Sequence, residues 1–306
     1  MFHSNDDLIV DLPKIRGQYR LNSDLSKINW FNVGGNADLV FRPDDVDDLA
    51  YFIKNKPDNI PVTMIGVGSN LLIRDNGIRG VVIRLGRNFA QIKKLPHDPN
   101  IIIAGAASLD FNVAEFAMNN NLSGCEFLTG IPGTIGGAIA MNAGCYNADM
   151  AQIVEKVHAI DNYGTQITLT PSQMGFIYRG NTVPDDMIFT AVELGTITAD
   201  KFEIAEKMRY IKEKRANTQP INSKTSGSTF QNPPGLQAWK LIDDAGCRGL
   251  TIGGAMVSEK HCNFFINKGN AKAKDIEDLI LEVTNRVYEN SGIKLEAEIK
   301  IIGDVY

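Results

Sequence analysis

Hydrophobic positions change their period several times along this chain. Val46, Leu49, Ala50 and Ile53 recur at i, i+3, i+4 and i+7 behind Asp44, a residue suited to an N-cap, and Pro57 stops the pattern. The spacing predicts one amphipathic helix. Three apolar runs of strand length follow at 61–68, 80–85 and 101–107, separated by Gly- and Asn-containing turns. Ser108 then precedes Phe111, Val113, Ala114, Phe116 and Ala117, which predicts a second helix capped by that serine. Residues 130–144, GIPGTIGGAIAMNAG, carry five glycines, too many for a helix or strand interior, and predict a loop system with exposed backbone.

Beyond that segment, VEKVHAID (154–161) and TQITLT (165–170) flank Asn162-Tyr163-Gly164 and predict a hairpin, and 187–195 predicts one more strand. The pattern then changes. Residues 201–224 hold seven Lys/Arg against three Glu, with Ile204, Met208 and Ile211 at helical spacing. Their charge suits either a solvated helix face or phosphate-bearing ligands. A domain boundary is expected at about 196–204, giving a first domain of 1–200, itself divided near 85, and a second of 201–306. Ile276, Leu279, Ile280, Val283 and Val287 form a helical stripe ended by Gly292, and KLEAEIKII (294–302) predicts a final strand that could return to the first domain. Strands and helices in this mixture make an α+β protein.

Composition narrows the classes. With 306 residues, 43% hydrophobic and 22% charged, the chain has room for about two cores. The 31 Lys+Arg against 36 Asp+Glu give a net charge of −5, unsuited to a polyanion, so nucleic acid is not an expected partner. No apolar run approaches the ~18 residues of a membrane span, and the N-terminal MFHSNDDLIVDLP is acidic where an export signal is basic. Cys125, Cys145, Cys247 and Cys262 fall at wide spacings with no Cys-x-x-Cys, so no disulfide framework and no metal site is expected. Buried free thiols in a reducing cytoplasm fit this usage.

Candidate chemistry lies in two places. Gly66, Gly68, Ser69 and Asn70 follow a strand, where missing Cβ atoms let a phosphate approach backbone N–H groups; alone, the sequence suits a tight turn equally well. It is not the Rossmann fingerprint, since Leu71 stands where the third glycine belongs. A second glycine segment, with Gly130, Pro132, Gly133, Gly136, Gly137 and Asn142, makes a pyrophosphate-bridged cofactor plausible, although Asn142 can equally bond its own loop. The other place is the polar run 224–233, where Gly227 puts Ser228 in a turn with neighbouring N–H groups free, or where a solvated loop simply passes. No Gly-x-Ser-x-Gly elbow surrounds Ser228, and the histidines are only His3, His97, His158 and His261, so a serine hydrolase is poorly supported.

GVGSNLLIRDNGIRGVVI (66–83), GIPGTIGGAIAMNAG (130–144), FIYRGN (176–181), RANTQP (215–220), GSTFQNP (227–233), the stretch 241–267 and LEAEIKIIG (295–303) together resemble the UDP-N-acetylenolpyruvoylglucosamine reductase family, in the family's order. The resemblance implies an FAD-binding domain of the vanillyl-alcohol-oxidase (PCMH) type and a smaller α+β substrate-binding domain. It implies reduction of the enolpyruvyl ether of UDP-N-acetylglucosamine, with FAD as bound carrier and NADPH as donor. Position within the motifs makes Ser228 the proton donor, Arg179 and Glu298 the pair that polarises the substrate, and Asn232 a contact near the diphosphate. The stretch 195–224 is too short for the inserted tyrosine loop of the larger subgroup, which leaves Tyr178 as a candidate to close the substrate pocket. The resemblance further implies a cytoplasmic monomer. The competing readings are an FAD-linked oxidase of the same fold class and a non-catalytic nucleotide-sugar binding protein.

Overall fold

The computed structural model describes residues 11–305. From the amino end the chain forms β1 (Gln18–Asp24), β2 (Asn36–Arg42), α1 (Val46–Asn55), β3 (Val62–Met64), β4 (Leu71–Ile73) and β5 (Ile78–Ile83). Next come β6 (Ile92–Leu95), β7 (Asp98–Gly105), α2 (Asp110–Asn119), β8 (Leu122–Ser123), α3 (Ile135–Ala140), β9 (Gly144–Cys145) and β10 (Ala148–Asp149). They are followed by β11 (Val154–Ile160), β12 (Gln166–Leu169), α4 (Pro171–Met174), β13 (Ile188–Gly195), β14 (Ile197–Thr198) and α5 (Lys201–Thr218). The remainder holds α6 (Ala238–Asp244), β15 (Thr251–Ile252), β16 (Ala255–Val257), β17 (Phe265–Asn267), α7 (Ala273–Ser291) and β18 (Lys300–Ile302). The mixed α+β content expected from the periodicities is present.

These elements form two compact units, each assembled from three stretches. The first takes residues up to Arg20, Val40–Gly66 and Val81–Lys214; the second takes Leu21–Leu39, Val67–Gly80 and everything from Arg215. The division by compactness is therefore interleaved, whereas the sequence reading drew a single boundary near 196–204. α5 stays with the first unit through Lys214 because Ile204, Met208 and Ile211, the three residues picked out by its spacing, are its buried ones.

In the first unit an antiparallel sheet has the order β12–β11–β13–β7–β6. Its central strand β13 pairs Ala191 to Gly105 through Gly195 to Ile101 on one side and Val192 to Val157 on the other. Val157, Val192, Leu194 and Ile102 join Val113, Leu128, Ile135 and Met208 in one core. The 162–164 hairpin joins β11 to β12 as expected, with Gly164 at φ +78°. A second sheet has the order β1–β2–β5–β3, and β3 and β5 run parallel, Val62 beside Val81 and Met64 beside Ile83.

Four local expectations need correction here. Asp45, not Asp44, caps α1, accepting from the Asp48 N–H at 2.9 Å, while Asp48 is itself buried and accepts from the N–H groups of Arg16, Gly17 and Asp44. Leu109 stands at the cap of α2 without a side-chain bond, and the Ser108 hydroxyl is buried with no partner among the described residues. The glycine segment is not all loop, since it contains α3. Glycine is tolerated inside α3 because a Cβ at Gly136 would lie 3.1 Å from Ala106, so the close approach of α3 to the end of β7 requires its absence. Of the cysteines, Cys125, Cys247 and Cys262 are buried free thiols as expected, but Cys145 is half-buried and donates to the Phe127 carbonyl.

The second unit is built on α7. Ile276, Leu279, Val283 and Val287 are fully buried, each worth ~1.5–3 kcal/mol as area removed from water, and Gly292 ends the helix in the left-handed region at φ +70°. Asp75 caps α7 from a distant part of the chain, accepting from Ala273 and Lys274 N–H at 2.9 and 3.1 Å. The sheet β15–β16–β17 packs on the same core, where Phe230 and Phe265 meet edge to face at 5.8 Å. The expected strand 294–302 shortens to β18, which pairs parallel with β4. Residues 296–298 instead bond to 229–231 through isolated backbone contacts: Gln231 N–H to the Glu296 carbonyl at 2.9 Å and Glu298 N–H to the Thr229 carbonyl at 2.8 Å.

Candidate active site

In the first unit the glycine loops meet at Thr134. A Cβ on Gly66 would lie 2.9 Å from the Thr134 Oγ1, and one on Gly137 3.8 Å from the same oxygen. Bare backbone from two distant stretches thus faces one point. Not every glycine serves that end. A Cβ on Gly130 would press against the Cys145 sulfur at 2.6 Å, and Ile135 and Gly136 N–H already donate to the Ser108 and Ala106 carbonyls at 2.9 and 2.8 Å. Gly133 accepts from Asp110 N–H through its carbonyl, and Pro132 precedes it on a partly exposed backbone. Beside this segment the hydroxyls of Ser108 and Thr129 are buried with no partner among the described residues.

Arg179 occupies a turn that the glycine segment holds in place. Ile177 and Gly180 exchange backbone hydrogen bonds at 3.0 and 3.3 Å, leaving Tyr178 and Arg179 at the tip. Arg179 has φ +58°, a left-handed conformation that costs a non-glycine residue about 1 kcal/mol or more, and its guanidinium lies 5.0 Å from the centre of the Tyr178 ring. Three side-chain bonds fasten this turn: Asn142 Nδ2 to the Ile177 carbonyl at 3.0 Å, Arg179 Nη2 to the Gly144 carbonyl at 3.1 Å, and Asn181 Nδ2 to the Ala140 carbonyl at 2.9 Å. Asn142 is buried, and its Oδ1 accepts from Ala151 N–H at 2.9 Å. Its amide is thus occupied inside the protein on both ends. Tyr178 is 55% exposed, ample for a residue that must move onto a ligand.

Tyr146, which the sequence did not single out, stands at φ +53° in the two-residue turn between β9 and β10, with the Lys214 ammonium 5.6 Å from its ring centre. Most other cations of α5 are occupied: Arg209 pairs with Glu206 and Glu213 at 2.6 and 2.7 Å, Lys207 reaches Glu126 at 3.5 Å, and Lys212 lies 4.4 Å from the Phe111 ring centre. That favours the solvated-face reading of the basic run over the phosphate reading.

In the second unit Gly68 is at φ +68°, and a Cβ there would meet the Ile28 carbonyl at 2.7 Å. Ser69 follows, half-buried, and Asn70 Nδ2 donates to the Glu298 carbonyl at 3.0 Å while its own carbonyl accepts from Lys300 N–H. Asn70 therefore fixes the backbone that carries Glu298. Ser228 lies on the neighbouring stretch, bridged to Phe264, and the carbonyl of the next residue, Thr229, accepts the Glu298 N–H at 2.8 Å. Ser228 and Glu298 are thus held on adjacent backbones.

The N–H groups following Ser228 are not free as expected: Thr229 donates to the Asn263 carbonyl at 2.7 Å and Phe230 to Asn263 Oδ1 at 2.9 Å. Gly227, at φ +81°, has nothing within 4 Å of where a Cβ would be, so open space adjoins Ser228. Asn232 is exposed, with its Oδ1 accepting from Ala238 N–H at 2.9 Å.

Comparison with known proteins agrees with both halves. The family described as "UDP-N-acetylenolpyruvoylglucosamine reductase, C-terminal domain" matches residues 219–302, and the one described as "FAD binding domain" matches 37–170. A curated UDP-N-acetylenolpyruvoylglucosamine reductase of Rickettsia akari (strain Hartford) is 47% identical over 95% of this chain and 98% of its own length. The chain belongs to the UDP-N-acetylenolpyruvoylglucosamine reductase family. The reductase of that name from Orientia tsutsugamushi (strain Ikeda) is 48% identical over 96% of the chain and 98% of its own. The crystal structure of UDP-N-acetylenolpyruvylglucosamine reductase from Thermus caldophilus superposes with a TM-score of 0.80 at 34% identity, covering 94% of this chain and 99% of that one. The fold is accordingly α+β, with an FAD-binding domain of the vanillyl-alcohol-oxidase type.

Proposed function

We infer that the protein catalyses the NADPH-dependent reduction of UDP-N-acetyl-3-O-(1-carboxyvinyl)glucosamine to UDP-N-acetylmuramate, a precursor of peptidoglycan. Identity of 47% to a named reductase across nearly the whole of both chains carries this reading. The residues present fit FAD: the bare backbone of Gly66 and Gly137 converges on Thr134, and the unpartnered hydroxyls of Ser108 and Thr129 offer donors beside it. Gly66, Gly68, Ser69, Gly130, Pro132, Gly133, Gly136 and Gly137 shape the loops that would hold its pyrophosphate, with Asn70 and Asn142 bracing them. When bound, FAD accepts hydride from NADPH and supplies it to the terminal carbon of the enolpyruvyl group.

This chain's own groups handle the charge and the proton. Hydride arrival leaves negative charge on the adjacent carbon and its carboxylate, and the always-protonated Arg179 is suited to bind that carboxylate with two parallel N–H donors. Glu298, fixed through its backbone by Asn70 and Thr229, assists as a hydrogen-bonding partner of the developing charge. Ser228 gives its hydroxyl proton to the carbon, which is basic enough to take it from an alcohol. Asn232, with its amide nitrogen still able to donate, contacts the diphosphate, and Tyr178 closes the pocket in a subgroup without the inserted tyrosine loop.

All four cysteines are free thiols and no helix among the described residues is long and apolar enough to cross a membrane, which supports a cytoplasmic setting. Each unit completes its own core within one chain, which supports a monomer. The test is a spectrum. The purified protein is expected to be yellow with noncovalent flavin, to bleach with NADPH and to recover its colour with the enolpyruvyl UDP-sugar under nitrogen. Recovery by oxygen alone would favour the oxidase, and absence of bleaching would favour the binding protein.

A further inference from the structure

In the first unit the carboxyl ends of β2, β5 and β3 lie side by side. Arg84 N–H donates to the Phe41 carbonyl at 3.0 Å, and Met64 pairs with Ile83. In open sheets with parallel strands, ligands bind in the crevice outside such ends. β3 leads there into Gly66, whereas β2 and β5 lead into arginines. Arg42 is the last residue of β2, Arg84 follows β5 directly, and Arg87 comes one turn later. With Leu85, Gly86, Ala90 and Ala107 these three line a cavity of about 210 Å³.

Several features mark this as more than solvated surface. Arg42 and Arg84 are both half-buried, and among the described residues no carboxylate forms an ion pair with either of them or with Arg87. Burial, and after it the charge of Arg42, pushes the Arg84 guanidinium below its ordinary value, yet arginine keeps its proton. Holding like charges together out of water destabilises the protein unless an anion compensates. Gly86 faces open space, with nothing within 4 Å of where a Cβ would stand, so its backbone leaves the cavity mouth clear. Ala107 adjoins Ala106, on which Gly136 of α3 is packed, so the cavity abuts the glycine segment.

We propose that Arg42, Arg84 and Arg87 form a phosphate-binding site that receives one phosphate-bearing end of a nucleotide. A phosphate group presents several acceptor oxygens and up to two charges, matching a set of guanidinium forks better than a single carboxylate does. The volume falls below the roughly 300–1,000 Å³ of a site for a drug-sized ligand, which suits one end of a nucleotide better than a whole dinucleotide. The identity of that nucleotide rests on the reductase reading, within which FAD carries its phosphates in a central pyrophosphate already given to the glycine loops, whereas NADPH bears one more phosphate at its adenosine end.

The experiment compares the natural holoprotein with Arg84→Met, which keeps much of the volume, and with Arg87→Ala at an exposed position that leaves folding intact. Flavin release on dilution and the KM values for NADPH and NADH are measured for each. At least a roughly 10-fold weaker hold on flavin, with the KM for NADPH unchanged, overturns the assignment to one end of a nucleotide and gives the arginines to the central pyrophosphate of FAD. A rise of similar size in the KM for NADPH, with flavin retained, places a phosphate of NADPH there, and an unchanged KM for NADH assigns it to the phosphate that NADH lacks. Unchanged flavin release and KM in both variants overturn the proposal.

Should the purified protein carry no flavin and oxidise no NADPH, the reductase reading fails while the site remains testable. Calorimetric titration of the same protein with inorganic pyrophosphate at fixed ionic strength is then expected to show binding at least roughly 10-fold tighter than in Arg84→Met. Equal binding overturns the site itself.

Discussion

Ser228 is the proposed proton donor, and only one half of the proposed reaction requires that proton. Ser228→Ala is therefore expected to leave flavin bleaching by NADPH near its natural rate and to slow recovery by the enolpyruvyl UDP-sugar by at least roughly 10²-fold in stopped-flow measurements. Ser228→Cys recovers part of the rate, because a thiol donates from nearly the same position. Equal recovery in natural and alanine proteins would assign the donor to another group. At Arg179 geometry matters more than charge. Arg179→Lys retains a cation but loses the planar pair of donors and the bond to the Gly144 carbonyl, so turnover is expected to fall about 10-fold or more with normal flavin content. Full turnover in the lysine variant would place Arg179 away from the reacting carboxylate. Its left-handed backbone, unusual for arginine, is consistent with a side chain kept for its position rather than for stability.

Between elements, the decisive contact is the fastening of the 176–181 turn onto the segment that follows α3. Asn142 spends its amide on the Ile177 carbonyl and on Ala151 N–H, so Asn142→Ala removes both bonds, leaving the Ile177 carbonyl with the Gly180 N–H alone and the partly buried Ala151 N–H without this acceptor. We expect a loss of about 1–3 kcal/mol in urea unfolding and a lower kcat as the Arg179 turn loosens, with flavin retained. Loss of flavin at undiminished kcat in the protein that remains loaded would instead make Asn142 a direct cofactor ligand. Asn70 has the corresponding position in the second unit, joining β4 to the backbone of Glu298. In both cases an asparagine from a candidate cofactor loop braces a residue proposed to act on substrate.

For the whole molecule, one electrostatic cost lies at Asp110, the first residue of α2. It is fully buried, neither carboxylate oxygen has a partner among the described residues, and burial raises its pKa well above the ordinary value. A raised folded-state pKa means that the native protein binds the proton more tightly than the unfolded chain does. The contribution to stability is complete below the unfolded value of about 3.9 and is lost as pH rises from there toward the folded value. Asp110→Asn, near in shape and never charged, is expected to remove that slope and to melt higher than the natural protein at pH 8. A melting curve with the same pH dependence in both proteins would show that Asp110 finds a partner in solution.

Local periodicity in the sequence was enough to specify α1, the 154–170 hairpin, α5 and α7, because a helix or strand repeats its buried positions every 3.6 or 2 residues whatever lies beyond it. The ordered motifs were enough to identify the family, and within it they are the ground for proposing Arg179, Ser228 and Glu298. What the tertiary structure alone decided were contacts between residues far apart in the chain. Asn142 meets Ile177 35 positions away, and Asn70 meets Glu298 228 positions away, and neither separation leaves any periodic trace. The same holds for α3, whose glycines read as loop until the end of β7 is found 3.1 Å from where a Cβ would stand, and for Arg42 and Arg84. Those two arginines are unremarkable within their own strands. They share a cavity because β2 and β5 end together, and pairing between strands is a property of the folded chain that neither strand carries by itself.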